Sequence, residues 1–176
     1  MDSLTQITLG AAVGEVVLGK KIGNRALLWG AVGGTIPDLD VLSAFFVSEI
    51  NELAYHRGFS HSIVFAIMGA FVFGWIIERM YKSTFHKYWA CLGWFAIPLG
   101  VLLFLYRIFD VTSFSAIGFV ILIPMIYLLY KTYFVKKRSL PEASVREWQW
   151  LFFWSLFTHP LLDCFTTYGT QLFQPF

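Results

Sequence analysis

The chain has 176 residues, 57% hydrophobic and 19% aromatic, with only 14% charged and a formal net charge of +2. A soluble domain carries nearer a quarter charged residues, so the composition excludes the ordinary soluble classes. So small a net charge gives no argument for a nucleic-acid partner. Mean hydropathy is +0.65, and the apolar residues come in long blocks rather than amphipathic stripes. The expected class is all-α: a polytopic helical membrane protein forming a single domain over residues 1–176.

Six apolar segments follow one another along the chain. The first, roughly residues 5–19, is rich in Gly and Ala and contains Glu15. The second, about 25–47, is interrupted by Pro37, Asp38 and Asp40. Both are short or broken for a lipid-exposed span. Their glycines and alanines predict a tightly packed helix pair, with a re-entrant hairpin as the competing arrangement. The third segment runs from about Ser62 to Ile77, the fourth from Tyr88 to Tyr106, and the fifth from Phe114 to Tyr130. The last runs from Trp148 to Phe165, behind Ser139-Leu-Pro-Glu142, which has the form of a helix start with Ser139 as cap. Cys91 and Cys164 make neither a disulfide framework nor a redox motif. The N-terminus lacks a basic region, so no cleavable signal peptide is expected.

Basic residues favour the cytoplasmic side of a membrane. With six spans, one set of loops holds 11 of the 13 basic residues, from Lys20, Lys21 and Arg25 through to Arg138 and Arg146. Only Arg57 and Arg107 fall on the other side. Both termini are therefore expected to face outward.

The same outward side collects the chemistry. His159 and Asp163 stand four apart, one turn of a helix, at the end of the last apolar segment. Pro37-Asp38-Leu39-Asp40 and His56-Arg-Gly-Phe-Ser-His61 bring further ligand types to that side. Three His and three Asp are the inventory of a hydrolytic metal site. Arg57 beside them suits an anionic oxygen, most naturally phosphate. Ser60 is placed to cap the third helix, and Thr158, Thr166 and Thr167 are near enough to orient the ligands.

Asp2-Ser-Leu-Thr5, Gly10-Ala-Ala-Val-Gly14, Pro37-Asp-Leu-Asp40, His56-Arg-Gly-Phe-Ser-His-Ser62 and Thr158-His-Pro-Leu-Leu-Asp163, with Thr166-Thr-Tyr-Gly-Thr-Gln-Leu172, carry a likeness. They resemble the YdjM-like family of bacterial inner-membrane proteins, described by inference as metal-dependent hydrolases. That family is distantly similar to zinc-dependent phospholipases C and P1-type nucleases. The resemblance implies phosphoester hydrolysis and a metal site at Asp38, Asp40, His56, His61, His159 and Asp163. Many members carry His where this chain has Gln6, so an amide replaces a ligand or an orienting donor there. Many also continue past the motif that ends here at Phe176, which implies a short member or a truncated chain.

The reading that results is a multi-pass inner-membrane hydrolase whose site faces outward. It would hold divalent metal, zinc before manganese or magnesium, and act on a lipidic phosphorylated substrate. Arg57 and Asp40 are the expected catalytic groups. The rival readings are an ion transporter, disfavoured because Glu15 is the one mid-span acid, and a non-catalytic or regulatory metal-binding membrane protein, supported by Gln6.

Overall fold

The computed structural model describes residues 3–39, 58–86, 88–89, 140–166 and 169–175, with isolated positions at 92, 124, 127, 128 and 131. The expected fourth and fifth segments, apart from isolated positions, lie outside the described residues, as do Asp40, His56, Arg57, Ser139 and Thr167. Among the described residues every regular element is helical. The chain divides into two compact units, Met1–Arg79 with Pro141–Phe176, and Met80–Leu140. The first unit holds all the described residues of the expected site.

Four α-helices are described: α1 (Ser3–Ile22), α2 (Arg25–Thr35), α3 (Ile63–Lys82) and α4 (Val145–Asp163). α1 and α2 form the tight pair that their composition predicts. Gly23, at φ 64°, turns the chain between them in a left-handed conformation that a side chain would strain. Gly14 faces Ala26 and Gly30 so closely that a Cβ on it would run into the Ala26 carbonyl. Small residues at four-residue spacing let two backbones touch. The buried positions of α1 are Gln6, Gly10, Gly14, Leu18, Gly19 and Ile22. Gln6 thus stands at the head of a stripe whose other members serve packing.

α4 begins with a capping box. Ser144 Oγ accepts from Glu147 N, and the Glu147 carboxylate accepts from Ser144 N at 2.8 Å. Residues 140–144 are not helical. The helix start expected at Ser139 therefore falls at Ser144, where a Glu stands three residues on and completes both bonds. From there Trp148, Leu151, Phe152, Ser155, Leu156, His159, Pro160 and Asp163 are buried. This is one continuous stripe at helical spacing, with the His and the Asp as its last turn.

α3 inverts the pattern of a soluble helix. Its buried side is Ala66, Gly69, Ala70, Gly74 and Ile77, whereas Met68, Phe71 and Trp75 are more than half exposed. Small residues inward and large apolar residues outward suit a helix with lipid at its back. Among the described residues, it is also the helix long and apolar enough to cross a bilayer alone. Gly74 packs against Gln149 and Gly69 against Leu156, so α3 and α4 run antiparallel.

The helix directions put like chemistry at like ends. Gln6 meets Asp163 at one end of the α1–α4 pair, and Lys21 meets Glu147 at the other. Fifteen helical residues separate Gln6 from Lys21, about 22 Å. Gly34, in the last turn of α2, lies beside His159, and His61 stands just before the start of α3. All four helices thus present their site-bearing termini at one end.

Candidate metal centre

Asp38 lies in the 3-10 turn at 36–39 that follows α2. Pro37 stops the helix there, because it has no N–H to continue the ladder. His61 closes a second 3-10 turn, Phe59–His61, just ahead of α3. The helix it precedes is capped by Ser62, whose Oγ accepts from Phe65 N at 3.1 Å. The cap expected at Ser60 is therefore corrected: Ser60 Oγ lies 3.1 Å from His61 Nδ1 instead. The sequence carries a signal for Ser62, which stands directly before the apolar run and so at the usual cap position.

These turns bring Asp38, His61, His159 and Asp163 together. His159 Nε2 is 3.2 Å from Asp38 Oδ1 and 3.5 Å from Asp163 Oδ2. His61 Nε2 is 3.7 Å from Asp38 Oδ1 and 3.4 Å from Asp163 Oδ2. The two rings meet edge to face, with centroids 4.9 Å apart. His61, His159 and Asp163 are buried, and Asp38 is partly so.

The outer hydrogen bonds decide which atoms face inward. His159 Nδ1 lies 2.6 Å from the Gly34 carbonyl. A carbonyl only accepts, so Nδ1 carries the proton, and in the neutral ring Nε2 presents its lone pair to the carboxylates. The Ser60 contact places His61 in the same sense, with Nδ1 outward and Nε2 inward. His159 Nε2 is buried and makes no hydrogen bond of good geometry despite its close carboxylate neighbours.

Ionised carboxylates facing imidazole lone pairs are the donor set that a divalent cation takes. For ligand bonds of about 2.0–2.2 Å, the edges of a tetrahedron are about 3.3–3.6 Å and those of an octahedron about 2.8–3.1 Å. The four imidazole–carboxylate separations, 3.2–3.7 Å, span the gap between these ranges and extend just beyond them, so they suit one small divalent ion without choosing its geometry. Asp38, His61 and His159 each offer one ligand atom, all within 4.8 Å of one another. Two carboxylates also balance the charge of one divalent ion in a site with little water.

Gln6 sits behind this group and is buried. Its Nε2 donates to Asp163 Oδ1 at 3.1 Å and to the His159 carbonyl at 3.2 Å. It holds one oxygen of Asp163 outward and so leaves Oδ2 toward the imidazoles. The orienting role expected of Thr158 is not what its bonds show: its hydroxyl donates to the Trp154 carbonyl at 2.8 Å within its own helix. Thr166 Oγ1 donates to the backbone carbonyl of Asp163 at 2.8 Å, which closes the end of α4. The Gly34 carbonyl is the participant that sequence reasoning missed. Backbone acceptors carry no side-chain signal, although the glycine that permits the approach does.

A helical membrane protein with a buried two-His, two-Asp group at the ends of its helices is the class these observations define. The chain belongs to the YdjM inner membrane protein family, whose profile matches residues 1–176. It is also similar to inner membrane protein YbcI of Escherichia coli (strain K12), at 30% identity over 89 residues. That match covers 51% of this chain and 51% of the relative, so about half the length of the curated relative is spanned. No solved structure matches the chain.

Proposed function

We propose that this protein is a membrane-embedded, metal-dependent hydrolase that cleaves a phosphoester of a lipidic substrate. The observation that carries the reading is the inward pair of imidazole Nε2 atoms facing two carboxylates at the ends of apolar helices. Asp38, His61 and His159 would hold zinc, and three protein ligands leave a position open for water or substrate. The ion would supply Lewis acidity and make a water nucleophilic near neutral pH. Asp163 is placed to take the proton of that water: Gln6 fixes one of its oxygens, and the other lies beside both imidazoles. Arg57 would meet the charge that develops on the phosphoryl oxygens, with Asp40 as the second catalytic group, and His56 with Asp40 would serve a further ion where more than one is held.

The remaining apolar segments complete six spans in this reading, with the site at the outward boundary. The charge pattern supports it: Lys20, Lys21, Arg25, Arg79 and Arg146 fall toward the ends of the helices away from the site.

The test is elemental analysis of the full purified chain, together with turnover of a panel of lipid phosphoesters. Zinc bound near one per chain, with turnover abolished in Asp163→Asn while the metal stays, is the expected result. Bound metal with no turnover on any phosphoester would favour a metal-binding membrane protein without catalysis.

A further inference from the structure

The chain does not leave the site at Asp163. It turns and comes back to the start of α3. Thr166 N donates to the Asp163 carbonyl at 3.0 Å, and Gly169 N donates to the Thr166 carbonyl at 3.1 Å. Gly169 takes a left-handed φ of 63°, with open space where a Cβ would stand. The Leu172 carbonyl then accepts from Ile63 N at 3.0 Å.

Ile63 is the first residue of α3 and stands two past His61. The first N–H groups of a helix have no partner within it. Ser62 Oγ satisfies that of Phe65, and the returning segment satisfies that of Ile63. The segment 169–175 thus closes a ring. One side is the path of hydrogen bonds from Asp163 through Thr166, Gly169 and Leu172 to Ile63. The other side is the site itself, where His61 Nε2 lies 3.4 Å from Asp163 Oδ2.

His61 depends on such a ring more than His159 does. His159 and Asp163 stand one turn apart on α4, so the helix itself fixes their spacing. His61 ends a 3-10 turn of three residues ahead of α3. The close packing of α3 on α4, at Gly69 and Gly74, lies about 9 Å or more further along the helix. The Ile63–Leu172 bond ties the two helices much nearer to His61. We infer that the segment 169–175 is a strap that sets His61 against Asp163, with Gly169 and the Ile63–Leu172 bond as its positioning elements. The inference rests on the metal centre of the reading above. Ligand distances at a metal hold to about 0.2 Å, so a small shift of the His61 turn changes how its Nε2 meets the ion. The strap acts through His61 rather than on the ion.

The test reads cobalt(II) bound to the full purified chain, both its affinity and its visible ligand-field spectrum, which reports the arrangement of ligands around the ion. Ile63→Pro removes the donated N–H where the helix tolerates it. Proline is favoured at the first helical position, and Ser62, at φ −96° and ψ 158°, already has the extended backbone that precedes a proline. Ile63→Ala keeps the N–H and controls for the lost side chain. Gly169→Val strains the turn at its left-handed φ without a steric clash. Gly169→Asn tolerates that φ and is the conservative rescue.

Ile63→Pro and Gly169→Val are each expected to weaken cobalt binding about tenfold and to alter the spectrum of the bound ion. Ile63→Ala and Gly169→Asn should keep the wild-type values. Wild-type affinity and spectrum in both strained variants overturns the inference and leaves the metal centre standing. Weaker binding with an unaltered spectrum overturns it too, because a general loss of stability lowers affinity without re-aiming a ligand. A wild-type chain that takes up no metal removes the metal centre, and the inference with it. If Ile63→Pro does not fold, the Gly169 pair decides alone.

Discussion

His159 Nδ1 donates to the Gly34 carbonyl at 2.6 Å, and this bond between α4 and the end of α2 sets which ring nitrogen faces the site. The packing of the helices and the chemistry of the ligands are thus one problem. A shift of α2 that moved Gly34 would also release the ring.

Removing the ligands tests the centre directly. His159→Ala and His61→Ala should each lose stoichiometric metal, read by elemental analysis, while helical content in detergent is kept. Wild-type protein should also lose thermal stability on chelation. An ion at a hundred times its dissociation constant stabilises by about 2.7 kcal/mol. Neither variant should respond to the chelator. Metal content unchanged by both substitutions sinks the assignment.

Gln6 orients rather than ligates through its amide nitrogen, because that atom is spent on Asp163 and on the His159 carbonyl. Gln6→Leu should lower turnover about 10- to 100-fold with metal content kept, the usual effect of losing a partner that orients a group of the site. It leaves a carboxylate oxygen and a carbonyl without their donor, at a cost of about 1–3 kcal/mol each. Phosphodiester turnover and elemental analysis are read on the same sample. Wild-type turnover in Gln6→Leu would show that Asp163 needs no clamp.

Close helix approach has its own test. Gly14→Val places a side chain against the Ala26 carbonyl, which is backbone and cannot swing aside. The α1–α2 pair must then separate, at a cost of about 1–3 kcal/mol or more for overpacking. The thermal midpoint should fall, and metal affinity should fall with it, because Gln6 and Gly34 ride on those two helices. A lowered midpoint with unchanged affinity would uncouple the pair from the site.

Much of this was legible in the residues. α1, α3 and α4 fall on expected apolar segments and are helical, and among the described residues α3 is the helix long and apolar enough to cross a membrane. Asp38, His61, His159 and Asp163 meet as their spacing and the charge bias of the loops suggested. Boundaries were less legible: the α4 cap moved from Ser139 to Ser144, and the α3 cap from Ser60 to Ser62. Several Ser residues compete near each start, and the winner depends on which backbone N–H ends up unpaired. The role of Gln6 was visible only as a likeness. Its direction depends on α1 lying antiparallel to α4, which no local pattern states.

At the far end of the bundle, Lys21 holds Glu147. Nζ lies 2.8 Å from Oε2, and Lys21 with the Ser144 cap draws the Glu147 carboxyl down to about 2. A depressed carboxyl stabilises the fold above its unfolded pKa, and the contribution is lost as pH falls from about 4.5 toward 2. Both side chains are over a third exposed, so the ion pair contributes only about 0.2–1 kcal/mol. Glu147→Ala should cost more than Lys21→Ala, because it also removes the capping box. Double-mutant cycles near pH 7 and pH 3 should show the coupling in full at the first and reduced at the second. Coupling of equal size at pH 3 would refute the pair.

Orientation can be read from single cysteines in intact cells. Cys164 is exposed and lies one residue past Asp163, at the site end of α4. With Cys91→Ser, it should react with a membrane-impermeant thiol reagent added outside. Ser139→Cys, with both native cysteines replaced, precedes α4 and belongs to the strongly basic stretch that favours the cytoplasm. It should resist the reagent until the cells are opened. The two positions bracket one helix of 19 residues, long enough to place its ends on opposite faces of a bilayer. Labelling at Ser139→Cys with protection at Cys164 would invert the protein and turn the His/Asp group toward the cytoplasm. Labelling at both would mean that α4 does not cross.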